Sequence, residues 1–272
     1  MSVINTNVSA MYSQNAMKTN ARAMSTAMEQ LSTGTRVNSA RDDAAGLAIG
    51  QNMTSQIRGL NMAVRNLNDG INMMQTAEGA MVEQSNMLQR MRELAVQAMN
   101  GTYSSTQREY LDLEFQALNS QVDDISANTM WNDQVLLDGS TFTFQAGQSE
   151  DQEISVIIGD MGTGSAGLNI SGESIATAID AETALSAISL ALEEINLQRA
   201  TIGAGINRME YAADNLTNVS SNATQSRSTI MDTDYALATT QLAKTQIIQQ
   251  AATAMLAQAN QQPQQVMQLL KG

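Results

Sequence analysis

The chain contains no cysteine and no histidine among its 272 residues. The first absence removes disulfides, thiolate nucleophiles and thiol metal ligands. The second removes the commonest general base and the imidazole ligand. Proline occurs once, at Pro263, so almost the whole length is free of the strongest helix breaker. Aromatic residues make up 3% of the chain, so the apolar surface comes from Ala, Leu, Ile, Val and 19 Met. Such residues build thin seams and not one thick globular centre. Basic residues are also scarce: 14 Lys and Arg face 27 Asp and Glu, a formal charge of −13. That balance argues against nucleic acid and anionic membrane surfaces, since nucleic-acid binding needs clustered cations. No run of about 18 apolar residues is present to cross a membrane. The first residues carry neither the basic start nor the apolar run of a Sec-type signal, so export would need another route.

What the chain does have is periodicity. Met53, Leu60, Leu67, Met74, Met81, Leu88 and Ala95 are apolar at every seventh place, which keeps one seam of a helix against a partner. Residues 44–100 are expected to form one helix of about 85 Å, at roughly 1.5 Å per residue. A companion row runs Ile57, Val64, Ile71, turns polar, and passes to Ala77, Met91 and Ala98, the drift expected where the packing neighbour changes. Before it, Val8, Met11, Tyr12, Met24, Met28 and Leu31 make an amphipathic stripe stopped by Gly34. A polar joint follows at 37–43. After Asn100-Gly101, a third helix is expected near Thr106, with Glu109 closing a capping box and a stripe of Leu111, Phe115, Leu118, Val122 and Ile125. A short polar loop between these two helices folds them back as an antiparallel hairpin.

From about 130 to 172 the period becomes two. Phe142, Phe144 and Ala146 alternate with polar residues, as do Ile154, Val156 and Ile158, so a β-hairpin turns through 147–151. Gly/Ser-rich 159–172 is expected to be a flexible loop, with the Ser and Thr of 139–172 facing outwards. The helical pattern then returns with Leu185, Ile188, Leu192, Ile195, Ile202, Ile206, Met209, Ala213 and Leu216, Arg199 filling one step. A second joint lies at 226–232. The last helix carries Ala238, Leu242, Ile248, Ala252, Met255 and Ala259, then Val266 and Leu269. The fold class is therefore mainly α: a long antiparallel helical rod, coiled-coil-like, with a small β-hairpin region near 135–160. The domains expected are a terminal helical pair, 1–40 with 231–272, and a rod over 41–230.

Three patterns could carry chemistry. Gly162, Gly164 and Gly167 satisfy G-x-G-x-x-G after a strand, but no helix opens at its end and no βαβ unit surrounds it. Asp42-Asp43, Asp123-Asp124 and Glu193-Glu194 are adjacent on the chain, and neighbours on a helix point about 100° apart, so they do not converge on a substrate or metal. The methionines fit as adaptable seam filler. The sequence thus gives no catalytic, cofactor or metal site.

The residues do resemble a family. Val3-Ile4-Asn5-Thr6-Asn7, Ala40-Arg41-Asp42-Asp43-Ala44-Ala45-Gly46, Asn68-Asp69-Gly70-Ile71, Thr76-Ala77-Glu78-Gly79-Ala80, the run from Leu88 to Gln97, Asp232-Thr233-Asp234-Tyr235-Ala236 and the stretch from Gln246 to Leu270 are similar to bacterial flagellin. The resemblance implies a non-enzymatic structural subunit that polymerises into the flagellar filament for swimming, secreted unfolded through type III export. It implies termini disordered in the monomer, which pair as helices in the filament core through Val8, Met24, Met28, Leu31, Leu242, Ile248, Met255, Val266 and Leu269. It implies a contact patch of Gln89, Arg90, Leu94 and Glu114, docking a neighbouring subunit and readable on stray monomers by Toll-like receptor 5. Met91 stands where the family more usually has Val. Large members of the family insert outer domains between the β region and the returning helix; only about 159–180 is available for that here, so the resemblance implies no separate outer domain. The partners implied are the chain itself, the flagellar cap protein, hook-associated junction proteins and an export chaperone on the C-terminal segment. A hook–filament junction adaptor is the alternative reading.

Overall fold

A computed structural model of the chain describes residues 6–271, with side chains described over 6–261. Val3, Ile4 and Asn5 lie outside the described residues, as do the side chains of Val266 and Leu269. Among the described residues there are five helices and four short strands, ordered α1 (Val8–Thr33), α2 (Ala44–Met99), α3 (Ser105–Asn128), β1 (Met130–Trp131), β2 (Gln134–Val135), β3 (Thr141–Gln145), β4 (Glu153–Ile157), α4 (Ala178–Met231) and α5 (Tyr235–Lys271). They form two compact units, Met1–Ile57 with Ser221–Gly272, and Arg58–Ser220.

In the first unit, α1 pairs with α5. Asn7 caps α1 by accepting from the Ala10 N–H and donates its own Nδ2 to the Ala259 carbonyl at 2.7 Å. Asn20 Nδ2 donates to the Thr245 carbonyl at 2.8 Å. These bonds fix the antiparallel register. Gly34 ends α1 in the left-handed region, φ 74°, which a residue without Cβ adopts freely. At the joint, the Arg36 N–H donates to the Met231 carbonyl and the Thr233 N–H to the Gly34 carbonyl. Arg36 Nη2 reaches the Ile230 carbonyl at 2.6 Å, satisfying a free acceptor at the C-terminal end of α4. Asp43 caps α2 through the Gly46 N–H at 2.8 Å. Asp42 gathers the Asn38 and Ser39 N–H groups and the Ser39 hydroxyl. The hydrogen bonds from Ser39, its hydroxyl first, hold the Asp42 carboxyl below its ordinary pKa.

The second unit holds the hydrophobic core. Leu60, Leu67, Met74, Met81, Leu88 and Ala95 are buried, so the heptad row of α2 is its packed seam. Phe115 and Val122 of α3, Ile188, Ile195, Ile202 and Met209 of α4, and Ile154 and Val156 of β4 join the same core. β3 and β4 pair antiparallel with Phe142 opposite Val156 and Phe144 opposite Ile154. Gly70 on α2 leaves room for that hairpin, since a Cβ there would meet the Phe144 ring at 2.8 Å.

Three local expectations are corrected. The capping box of α3 uses Ser104 and Gln107, not Thr106 and Glu109. Ser104 has the extended backbone an N-cap needs, and its side chain accepts from the Gln107 N–H while Gln107 reaches back. A second hairpin, β1 with β2, turns through Asn132 and Asp133, both at positive φ, the geometry of a two-residue type I′ loop.

The third correction concerns 159–172, which is a packed segment and not a flexible loop. Met161, Leu168 and Ile170 are buried in the core. Thr163, against the expectation of outward Ser and Thr, is buried, and its N–H and hydroxyl both donate to Asp123 Oδ1. The Ile170 and Ser171 N–H groups donate to the Thr163 carbonyl. Gly167 is required because a Cβ there would stand 2.3 Å from the Gly162 carbonyl oxygen. In the G-x-G-x-x-G string Gly167 thus serves a backbone crossing, Gly164 faces open space, and no helix opens at the string's end.

Candidate functional site

Arg90 lies on α2 and Glu114 on α3, and the fold brings them together. Arg90 Nε donates to Glu114 Oε1 at 3.0 Å and Nη2 approaches the same oxygen at 2.9 Å, while Nη1 holds Glu93 Oε2 at 2.9 Å. The hydrogen bonds it donates to Glu93, then to Glu114, raise the guanidinium above its already high pKa. All three groups are exposed, so water and salt screen the pairs, which mainly orient the patch. Gln89 is exposed beside them and lines an open groove between α2 and α4, faced by Glu93 and, across it, Asn196 and Arg199. Arg199 approaches Glu78 at 3.5 Å, and its Nε is buried without a hydrogen-bond partner.

Leu94 does not belong to this exposed group. It is 1% exposed and lies in the core with Met91, Ala95 and Ala98. The reason is the width of the buried arc: here α2 packs into a core fed by both α3 and α4, so a residue one turn from Arg90 turns inwards. Gln84 is the functional-looking residue that periodicity reasoning passed over. It occupies the same seven-residue row as Ala77, Met91 and Ala98, is fully buried, and its Nε2 donates to the Val122 and Met161 carbonyls at 3.1 Å each. Its position in that row was the available signal. It clamps α2 to α3 and to the packed 159–172 segment.

The terminal seam residues fall into two sets. Met24, Leu31 and Leu242 are half-buried, whereas Val8, Met28, Ile248 and Met255 are exposed. The surface actually shared by α1 and α5 is small and polar: Asn20, Ala27, Ala238, Thr245 and Ala259 are its buried residues. Tyr12, Tyr235, Leu237 and Ile247 add to the exposed apolar surface. The pair therefore joins through a narrow strip of small side chains and leaves its bulky apolar ones in water, an unusual amount of uncovered apolar surface for a finished fold.

Comparison with known proteins gives the chain its relatives. Residues 4–141 match the bacterial flagellin N-terminal helical region, and residues 185–270 match the bacterial flagellin C-terminal helical region. The chain is 42% identical to a flagellin of Halalkalibacterium halodurans, covering 99% of this chain and 100% of that one. It is 40% identical to a flagellin of Bacillus subtilis over 98% of this chain and 99% of the relative. A solved structure described as a putative flagellar hook-associated protein from Vibrio parahaemolyticus shares the fold alone: TM-score 0.59 at 12% identity, over 70% of this chain and 99% of that one. With both helical regions matched in order and full-length relatives at this identity, the chain belongs to the bacterial flagellin family.

Proposed function

We propose that this chain is the structural subunit of a flagellar filament, a homopolymer that transmits motor torque to the fluid, and has no catalytic role. The observation that carries the reading is the terminal pair: α1 and α5 join through Asn20, Ala27, Thr245 and Ala259 while Val8, Met28, Ile248 and Met255 stay exposed. A helix pair of this kind buries little to offset an ordering cost of about 1–2 kcal/mol per backbone residue. The terminal domain, 1–40 with 231–272, orders fully only when sister copies cover those faces, and 41–230 is the helical rod domain. The full-length relatives at 40–42% identity are named flagellins, which favours the filament subunit over a junction adaptor.

The export route is the flagellar type III channel, into the extracellular filament. A chain without cysteine and with a single proline is suited to threading. The cap protein, junction proteins and a chaperone on the C-terminal segment are the accessory partners. The exposed patch of Gln89, Arg90 and Glu114 docks a neighbouring subunit, and on stray monomers it is the surface presented to Toll-like receptor 5, with Leu94 acting from beneath by packing. The test is assembly: purified chain seeded with filament fragments gives long filaments by electron microscopy, and a chain lacking residues 240–272 gives none while keeping its helical signal. Filaments from the truncated chain would overturn the reading, as would a single short ring from the intact one.

A further inference from the structure

The α1–α5 register brings two thioethers to one level. Asn7 pairs with Ala259, and moving four residues inwards along both helices sets Met11 beside the level of Met255. Both stand in solvent, at 57% and 63% exposure, with Val8, Tyr12 and, further along α1 and away from this level, Met28 also exposed. Most methionines of the other unit are sealed: Met74, Met81, Met91 and Met209 are fully buried in its core. Met62, Met99 and Met130, also in that unit, are exposed.

We propose that Met11 and Met255 form an oxidation-sensitive site through which peroxides switch off assembly. The thioether sulfur attacks one oxygen of hydrogen peroxide. A sulfur–oxygen bond forms as the O–O bond breaks, and the departing hydroxide collects the remaining proton and leaves as water. Sulfur is oxidised to sulfoxide and the peroxide is reduced, with nothing else consumed. The product replaces a flexible apolar group with a polar one and is reversible by methionine sulfoxide reductases. The inference rests on the proposed assembly through the terminal helices: on a face that sister copies cover, a sulfoxide must lose its water without a prepared donor. Every incoming subunit presents the same two positions, so a modified chain is a poor addition at any growing end.

The experiment treats full-length monomer with dilute hydrogen peroxide, maps added oxygen at each methionine by peptide mass spectrometry, and measures elongation on filament seeds. Met11 and Met255 should be oxidised while Met74, Met81, Met91 and Met209 are spared, and elongation should fall at least about tenfold, the equivalent of 1.4 kcal/mol at the growing end. In a Met28→Leu background, which removes the other exposed thioether of α1, the Met11→Leu/Met255→Leu double variant, nearly matched in volume, should elongate normally after treatment although Met62, Met99 and Met130 carry sulfoxide. Treatment with both sulfoxide reductases should restore the native chain. Indiscriminate oxidation, undiminished elongation of the oxidised chain, or a double variant as sensitive as the native one would each overturn the proposal. Untreated chain that never elongates would overturn the assembly reading instead, and the oxidation map would still judge the site.

Discussion

Truncating Leu94 to Ala separates a packing role from a contact role. The side chain is 1% exposed within a core that includes Met91, Ala95, Ala98 and Phe115. Removing a buried leucine in such a setting costs about 2–5 kcal/mol through lost transfer energy and the cavity left behind. For a protein of this size each kcal/mol lowers the melting temperature by about 2–4 °C, so the variant should melt about 4–20 °C lower. Arg90→Ala, one turn away, removes exposed ion pairs that solvent already screens, so its melt should move by only a few degrees. Thermal unfolding of the monomer, followed by calorimetry or far-ultraviolet dichroism, reads both. Elongation on seeds then shows the converse, with Arg90→Ala weakening addition out of proportion to its stability. A Leu94→Ala chain melting with the native one, or an Arg90→Ala chain melting as low as Leu94→Ala should, would refute the reasoning.

Other expectations follow from single observations. Ser104→Ala should lose about 1 kcal/mol by breaking the α3 capping box, and Thr106→Ala should be close to neutral; equal losses in melting would contradict the assignment of the cap. Gly167→Ala should open the 159–172 segment, because its Cβ would stand 2.3 Å from the Gly162 carbonyl oxygen; limited proteolysis should then cut there faster, and an unchanged cleavage pattern would tell against the crossing. Asp42 has a lowered folded-state pKa, so its contribution is complete above the unfolded value of about 4 and is lost as pH falls through the lower folded value. Asp42→Asn should therefore be less stable than the native chain near neutrality and converge with it in strong acid; a gap that stays constant down to strong acid would show that the charge is not involved.

Much of the fold was legible because long helices advertise themselves. The seven-residue row from Leu60 to Ala95 is the buried seam of α2, and alternation at 142–146 and 154–158 marked β3 and β4. What escaped was short-range or three-dimensional. The β1–β2 hairpin has strands of two residues each, too short for periodicity, and its only signal was Asn132-Asp133. The packed state of 159–172 depends on Asp123, forty residues away, reaching Thr163; glycine and serine composition alone cannot show that. The burial of Leu94 was not legible, because helical spacing gives the angle between side chains but not how wide an arc the neighbours cover. Gln84 illustrates the reverse: a polar letter in an apolar row is invisible until two carbonyls are found waiting for it. In the terminal pair the strip that α1 and α5 share is made by Ala, Asn and Thr, because small residues let two helices approach closely, and the bulky apolar letters alone do not show it.

The most direct test of the account is amide hydrogen exchange along α1 and α5, in free monomer and in filament, with 58–220 as internal reference. The account predicts weak protection of residues 8–31 and 238–259 in the monomer, beside strong protection of the α2–α4 core, and a large gain in protection of the termini on assembly. Termini as protected in the monomer as the core, with no gain in the filament, would contradict it.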